Sequence, residues 1–160
     1  MHRAYHAIPP FTKNGVLVNA VYGFFSAYLA NISALKPTYV AVAFDVKGKT
    51  FRDDLFENYK AKRVKPPQNF YDQIPIIKNI LRVMEAPILE EKGYEADDVI
   101  GSIADKIKEQ RLKSKDLGKN LKIIIISGDK DILQLIDGND VTVLNFKKGL
   151  KDGEIIDEEK

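Results

Sequence analysis

The chain has no cysteine and no tryptophan, and only two histidines in 160 residues. Without cysteine, disulfides, thiolate catalysis and Cys-based zinc sites are excluded, and a reducing cytosol is a natural setting. His2 and His6 are too few, and too near the N-terminus, for a metal site built on imidazoles. Long apolar runs are missing too. Hydrophobic residues make up 44%, and the longest uninterrupted stretches fall far short of a bilayer span. The opening Met1-His-Arg-Ala-Tyr-His6 lacks the apolar centre of a signal peptide. Neither sign of charge dominates. The net value is +2, so the distribution of charge says more about partners than its sum. There is no internal repeat and no low-complexity linker, and the length suits one domain with a normal core.

What the chain does have is acid placed after short apolar runs. Asp45 follows Tyr39–Phe44. Glu95, Asp97 and Asp98 follow Pro87–Leu89 and a Gly93-Tyr94 turn. Asp129 and Asp131 follow Ile123–Ile126. A short apolar run ending in a polar turn reads as a buried parallel strand, and in an open α/β sheet ligands bind beyond the carboxyl ends of the strands. Three such strands bring these carboxylates to one edge. So many anions share a small volume only if most are protonated or cations neutralise them. Hard divalent cations on oxygen ligands are the simplest solution. The pattern points to a metal site and to phosphate chemistry.

The elements between these points alternate. Residues 1–18 read as irregular, with Asn14-Gly15 as a turn signal. Apolar residues from Val21 to Leu35 recur every three or four positions, predicting a helix over Asn19–Leu35 with Asn19 as its N-cap. Pro37 ends it before the first strand. A second helix is expected over 68–85, with Pro75 kinking it or marking its first turn. A third runs from about Glu95 to Leu112. A short helix opens at Asp129 or Lys130, and Val141–Leu144 is the last expected strand. The tail from Lys147 shows charge but no core pattern. Strands alternating with helices imply an α/β fold around a mainly parallel sheet.

Each acidic motif has an ordinary explanation. Glu and Asp at a helix start cap free N–H groups and favour the helix dipole. An Asp after a strand is common turn chemistry. Three acids within four positions, however, repel one another, and the ordinary explanation must be invoked three times over. The basic stretch Lys47–Lys65 could be a solvated face. It interleaves Phe51, Phe56 and Tyr59 with Lys49, Arg52, Lys60, Lys62 and Arg63. Cations bind phosphates, and aromatic rings stack on unpaired bases. Gly48-Lys-Thr50 looks like the end of a P-loop, but the upstream glycine is missing and the motif is rejected.

Arg3-Ala-Tyr-His-Ala7, Asn19-Ala-Val-Tyr-Gly23, Phe44-Asp-Val-Lys-Gly-Lys-Thr-Phe-Arg52, Tyr59-Lys60, Tyr94-Glu-Ala-Asp-Asp-Val-Ile100 and Gly128-Asp-Lys-Asp131 occur in this order. Together they resemble the 5′ nuclease domain at the N-terminus of bacterial DNA polymerase I, of the flap-endonuclease family. The likeness extends to about Asn145. It implies a three-layer PIN-like α/β fold over residues 1–146, with a helical-arch segment at 51–67, and cleavage of DNA at 5′ ends, flaps and nicks with Mg²⁺ or Mn²⁺ at a two-metal site. By motif, Asp45, Glu95, Asp97, Asp98, Asp129 and Asp131 match metal-site carboxylates. Tyr59, Lys60 and Arg63 match the arch, and Arg3 a basic residue beside the active site. Asp45, Lys60, Arg63 and Arg3 are thus the expected catalytic set. Arg3, Lys49, Arg52, Tyr59, Lys60, Lys62 and Arg63 are the expected DNA contacts.

The chain also departs from that pattern. The family's opening strand, ending in Val-Asp-Gly, has no counterpart here, and residues 147–160 lead toward a helix–three-turn–helix module that the sequence does not contain. An impaired 5′-3′ exonuclease and flap endonuclease of replication and repair is the expectation, in a bacterial cytoplasm and on the nucleoid, with a polymerase domain as a possible neighbour. The alternative is a catalytically incomplete DNA-binding fragment. An aspartyl-phosphate phosphatase is disfavoured, because Asp45 is followed by Val46 and Lys47 rather than by a second Asp two residues on.

Overall fold

Asn14 and Gly15 both adopt positive φ, 52° and 77°, as a two-residue hairpin turn of type I′ requires. They join β1 (Thr12–Lys13) to β2 (Val16–Leu17) in antiparallel register. The computed structural model describes residues 1–56, 65–113, 121–148 and 152–158. These fall mainly into two compact units: Met1–Val42 with Arg52–Ile88, and Ala43–Phe51 with Leu89–Lys147 and Asp152–Lys160. No helix among the described residues is long and apolar enough to cross a membrane.

The first unit is helical. The stretch expected to be irregular carries α1 (His2–Ala7) ahead of the ribbon. Next, α2 spans Asn19–Leu35 as its periodicity predicts, ending on Lys36 in the left-handed conformation just before Pro37. Asn19 is not its cap. Val18 holds that position, and the fully buried Asn19 donates from Nδ2 to the carbonyls of Tyr5 (2.9 Å) and Ile8 (3.1 Å), tying α1 to α2. The expected helix over 68–85 is two: α4 (Gln68–Tyr71) and α5 (Gln73–Val83), divided at Asp72. Pro75 lies in the first turn of α5, where its missing N–H would have had no intrahelical partner. Between α2 and α4 in the chain lies the short helix α3 (Phe51–Leu55). Ala4, Ala20, Val21, Phe70, Ile77 and Leu81 are the buried apolar residues where α1, α2, α4 and α5 meet.

Two very short strands follow the expected order, β3 (Val42–Ala43) and β4 (Ile88–Leu89). Val42 N–H donates to Pro87 O (2.9 Å) and Phe44 N–H to Leu89 O (3.0 Å). The bonds advance in the same direction on both segments, as parallel strands do.

In the second unit α6 (Ala96–Lys113) packs over a three-stranded sheet ordered β5 (Ile123–Ser127), β6 (Val141–Lys148), β7 (Asp152–Ile156). The β5–β6 ladder is parallel, with Ile123 opposite Val141 and Ile125 opposite Val143. Ile125, Ile132, Val141 and Val143 form the buried core, with Ile100 of α6 against it. Gly101 lets α6 approach: a Cβ there would stand 3.2 Å from Leu135 Cδ2. The short helix after β5 is a 3₁₀ turn, Asp131–Leu135, because the chain has only a few residues before it must re-enter the sheet.

One expectation is corrected. The charged tail carries β7, where a Cβ on Gly153 would come within 3.0 Å of Leu144. The described strands form three small sheets in a mixed α/β arrangement. With two residues each, β3 and β4 offer too few N–H and C=O groups for a longer ladder, and Pro87 has no N–H to give.

Candidate functional site

The acidic residues of the second unit are positioned by backbone. The Phe44–Leu89 bond aligns the ends of β3 and β4, and Asp45 is the next residue along. Its Oδ1 accepts the N–H of Ala96, the first residue of α6, at 2.8 Å. Glu95 sits at the N-cap position, and Asp98 Oδ2 accepts its N–H at 2.9 Å, the reach-back half of a capping box. Gly93, at φ 83°, makes the turn that lets the helix begin there. Asp97, half-buried, lies in the same first turn. The positive end of the helix dipole at this helix start offsets part of the repulsion among these acids. Thus Asp45, Glu95, Asp97 and Asp98 gather at one end of α6.

Asp129 and Asp131 lie beyond the end of β5, in a turn tied by its own side chains. Ser127 Oγ accepts the N–H of Asp129 (3.0 Å), and Asp129 Oδ1 accepts the N–H of Asp131 (3.1 Å). Both acids are exposed. Among the described residues, no three His, Cys, Asp or Glu side chains come together as a ready metal-holding group. As a donor set, though, these carboxylates are all oxygen, which suits Mg²⁺ or Mn²⁺ and not softer metals.

The basic residues divide. Lys49 is exposed on the loop after Asp45, and Gly48 there has φ 149°. That loop is pinned: Phe51 N–H donates to Gly93 O at 2.9 Å, and the Phe51 and Tyr94 rings lie 5.5 Å apart. Arg52 is half-buried in α3, and Arg3 is exposed on α1 of the first unit. Tyr59, Lys60, Lys62 and Arg63 lie outside the described residues.

Three features escaped the sequence. One is Gln73, fully buried, whose Oε1 accepts the N–H groups of Ala20 (2.8 Å) and Val21 (3.3 Å) at the start of α2. Its Nε2 donates to Asn19 Oδ1 (3.2 Å) and Asn69 O (3.0 Å). The available signal was its place in the stripe Phe70, Gln73, Ile77, Leu81, where an apolar residue belongs. The second is the Phe51–Tyr94 ring pair. The third clamps α6 to the turn before β6. Lys108 Nζ bonds Asp137 at 2.9 Å and Asp105 at 3.2 Å, and Arg111 bonds Asp140 at 3.1 Å. The hydrogen bond to Asp137, then that to Asp105, raises the Lys108 pKa.

Residues 1–160 match the 5′-3′ exonuclease N-terminal, resolvase-like domain. The chain is 42% identical over 156 residues to DNA polymerase I of Caldicellulosiruptor bescii, covering 95% of this chain and 17% of that protein. It is 40% identical over 146 residues to the 5′-3′ exonuclease of Aquifex aeolicus, covering 91% of this chain and 47% of that protein. DNA polymerase I of Mycobacterium leprae is 37% identical over 153 residues, 94% of this chain and 16% of that protein. The chain therefore spans less than half the length of each of these relatives.

Proposed function

Because the chain belongs to the family of 5′-3′ exonuclease N-terminal resolvase-like domains, we propose that it is the metal-dependent nuclease core of an enzyme that hydrolyses DNA phosphodiesters at 5′ ends and flaps. The observation carrying this is the bond from Ala96 N–H to Asp45 Oδ1. It joins residues 51 positions apart and collects Asp45 with Glu95, Asp97 and Asp98 at one helix start. We extend the site to Asp129 and Asp131, and the fold to the three-layer, mainly parallel arrangement of PIN-like domains.

Asp45, Glu95, Asp97 and Asp98, with Asp129 and Asp131, would hold Mg²⁺ or Mn²⁺, which when bound supplies an activated water and charge stabilisation for the leaving oxygen. The protein's own work is then positioning. Lys49 and Arg52 offer cations to phosphates of the incoming strand. Lys60, Lys62, Arg63 and Tyr59 are proposed for the same strand, with Lys60 and Arg63 on the phosphate that gains charge. Arg3 is proposed as a further phosphate contact. Partners are DNA with 5′ ends, flaps or nicks and, in the longer protein, a polymerase domain, in the bacterial cytoplasm.

The alternative is a DNA-binding portion with an incomplete metal site, in which Asp129 and Asp131, held in their own turn by local bonds, do not join the acids of α6 around a cation. A cleavage assay separates the two, using 5′-labelled single strands and 5′-flap DNA with Mn²⁺, Mg²⁺ or EDTA. Cation-dependent cutting that is lost in the Asp97→Asn, Asp98→Asn variant supports the nuclease. DNA binding with no cutting under any cation supports the alternative.

A further inference from the structure

We propose that Phe51 and Tyr94 form a platform on which an unpaired base of a single-stranded 5′ end stacks, beside the carboxylates of α6. This rests on the nuclease reading above and adds to it a residue pair that selects unpaired over paired nucleotides. The rings lie 5.5 Å apart at a tilt of 48°, yet they are not buried in each other: Phe51 is 39% and Tyr94 49% exposed. The backbone bond from Phe51 N–H to Gly93 O, 2.9 Å, already fixes the α3 start against this turn. The exposed ring surface is therefore more than the anchoring of the loop requires.

The neighbours give the platform its ligand. Lys47 and Lys49 stand exposed on the loop leading to Phe51. Tyr94 directly precedes Glu95, which opens the acidic helix start. A nucleotide is the common molecule that carries both a flat π face and an adjoining anion. Rings would take the base and the lysines its phosphates, while the acids repel phosphate unless a cation intervenes. A base within a duplex has both faces covered by its neighbours, so only an unpaired one can use the platform. Base–aromatic stacking is tolerant of sequence, because every base has such a face. A strand gripped this way would be chosen by its single-strandedness and not by its sequence.

The test uses the 160-residue chain and a short oligothymidine carrying one fluorescent 2-aminopurine, in Ca²⁺. Anisotropy reports binding, and fluorescence quenching reports stacking. The Phe51→Leu, Tyr94→Leu variant should bind about 10- to 100-fold more weakly, the scale of one lost stack, and lose the quenching. Phe51→Tyr and Tyr94→Phe should retain both. For the wild type, an abasic site in place of the quenched base should cost the same factor; for the leucine variant it should cost nothing more. If the leucine variant does not fold, as judged by circular dichroism, the abasic substitution on the wild type decides the question. Equal affinity and quenching across the variants, or no penalty for the abasic site, overturns the platform while leaving the nuclease reading standing. A wild-type chain that does not bind the strand at all overturns both.

Discussion

Two kinds of polar residue hold this chain in shape, and they differ in what removal costs. Gln73 is fully buried and supplies the acceptor for two N–H groups at the start of α2. Replacing it with leucine takes the partner from those donors, and from the Asn19 Oδ1 acceptor, and leaves them out of water. We expect Gln73→Leu to lower stability by about 3 kcal/mol, the sum of more than one orphaned group, measured by urea unfolding. A loss under about 1 kcal/mol would show that water reaches them. Asp45 is exposed, caps α6 and is proposed as a metal ligand. Its bond to Ala96 N–H is a cap, so Asp45→Ala should cost about 1 kcal/mol of stability and also remove metal-dependent activity. Asp97→Asn should instead leave stability unchanged or raise it, because like charges at the helix start are relieved. Asp45 and Asp98 stand out in the sequence as candidates because acids after apolar runs are a local pattern. Gln73 was not, since its partners lie more than fifty positions away and no local pattern names them.

At the scale of elements, α2 and α6 followed their periodicity almost to the residue. Their apolar residues recur over enough positions to fix a face, while β5 followed its unbroken apolar run to within two residues. Short elements did not follow. The six-residue α1 is too brief to show a period and is held by Asn19 and the rings of Tyr5 and Phe70. Charged Glu154 in β7 and Asp157 just beyond it flank Ile155 and Ile156 and mask the strand. Asn19 was misread as a cap because a residue type favoured at caps also suits any site that needs an amide. The clamp on α6 provides a pH test. Lys108 has a raised pKa in the folded state, so its contribution to stability is complete below the ordinary lysine value of 10.5 and fades as pH rises through the higher folded value. The stability difference between wild type and Lys108→Met should be flat from neutral pH to about pH 10 and shrink above it. It should stay under about 1 kcal/mol, because Asp137 is exposed and Lys108 only half-buried, so solvent screens the pair. A difference that grew with pH in alkali would contradict the assignment.

For the molecule as a whole, the acidic residues of the second unit are gathered by backbone bonds more than by one another. Asp45, Glu95, Asp97 and Asp98 share a helix start, Asp129 and Asp131 share a turn, and no three described side chains yet form a ligand group. Sequence proposes that these residues belong together. It says nothing of how far they close, because in the proposed site closure depends on a charge the chain does not supply. The central claim is that a divalent cation draws these carboxylates into one site. Mn²⁺ titration followed by electron paramagnetic resonance tests this most directly, since free Mn²⁺ gives a sharp six-line signal that binding quenches. We expect the wild-type chain to quench the signal saturably, and the Asp97→Asn, Asp98→Asn variant to lose most of that uptake while keeping its fold. Quenching of equal size in the variant, or none in the wild type at millimolar Mn²⁺, would contradict it.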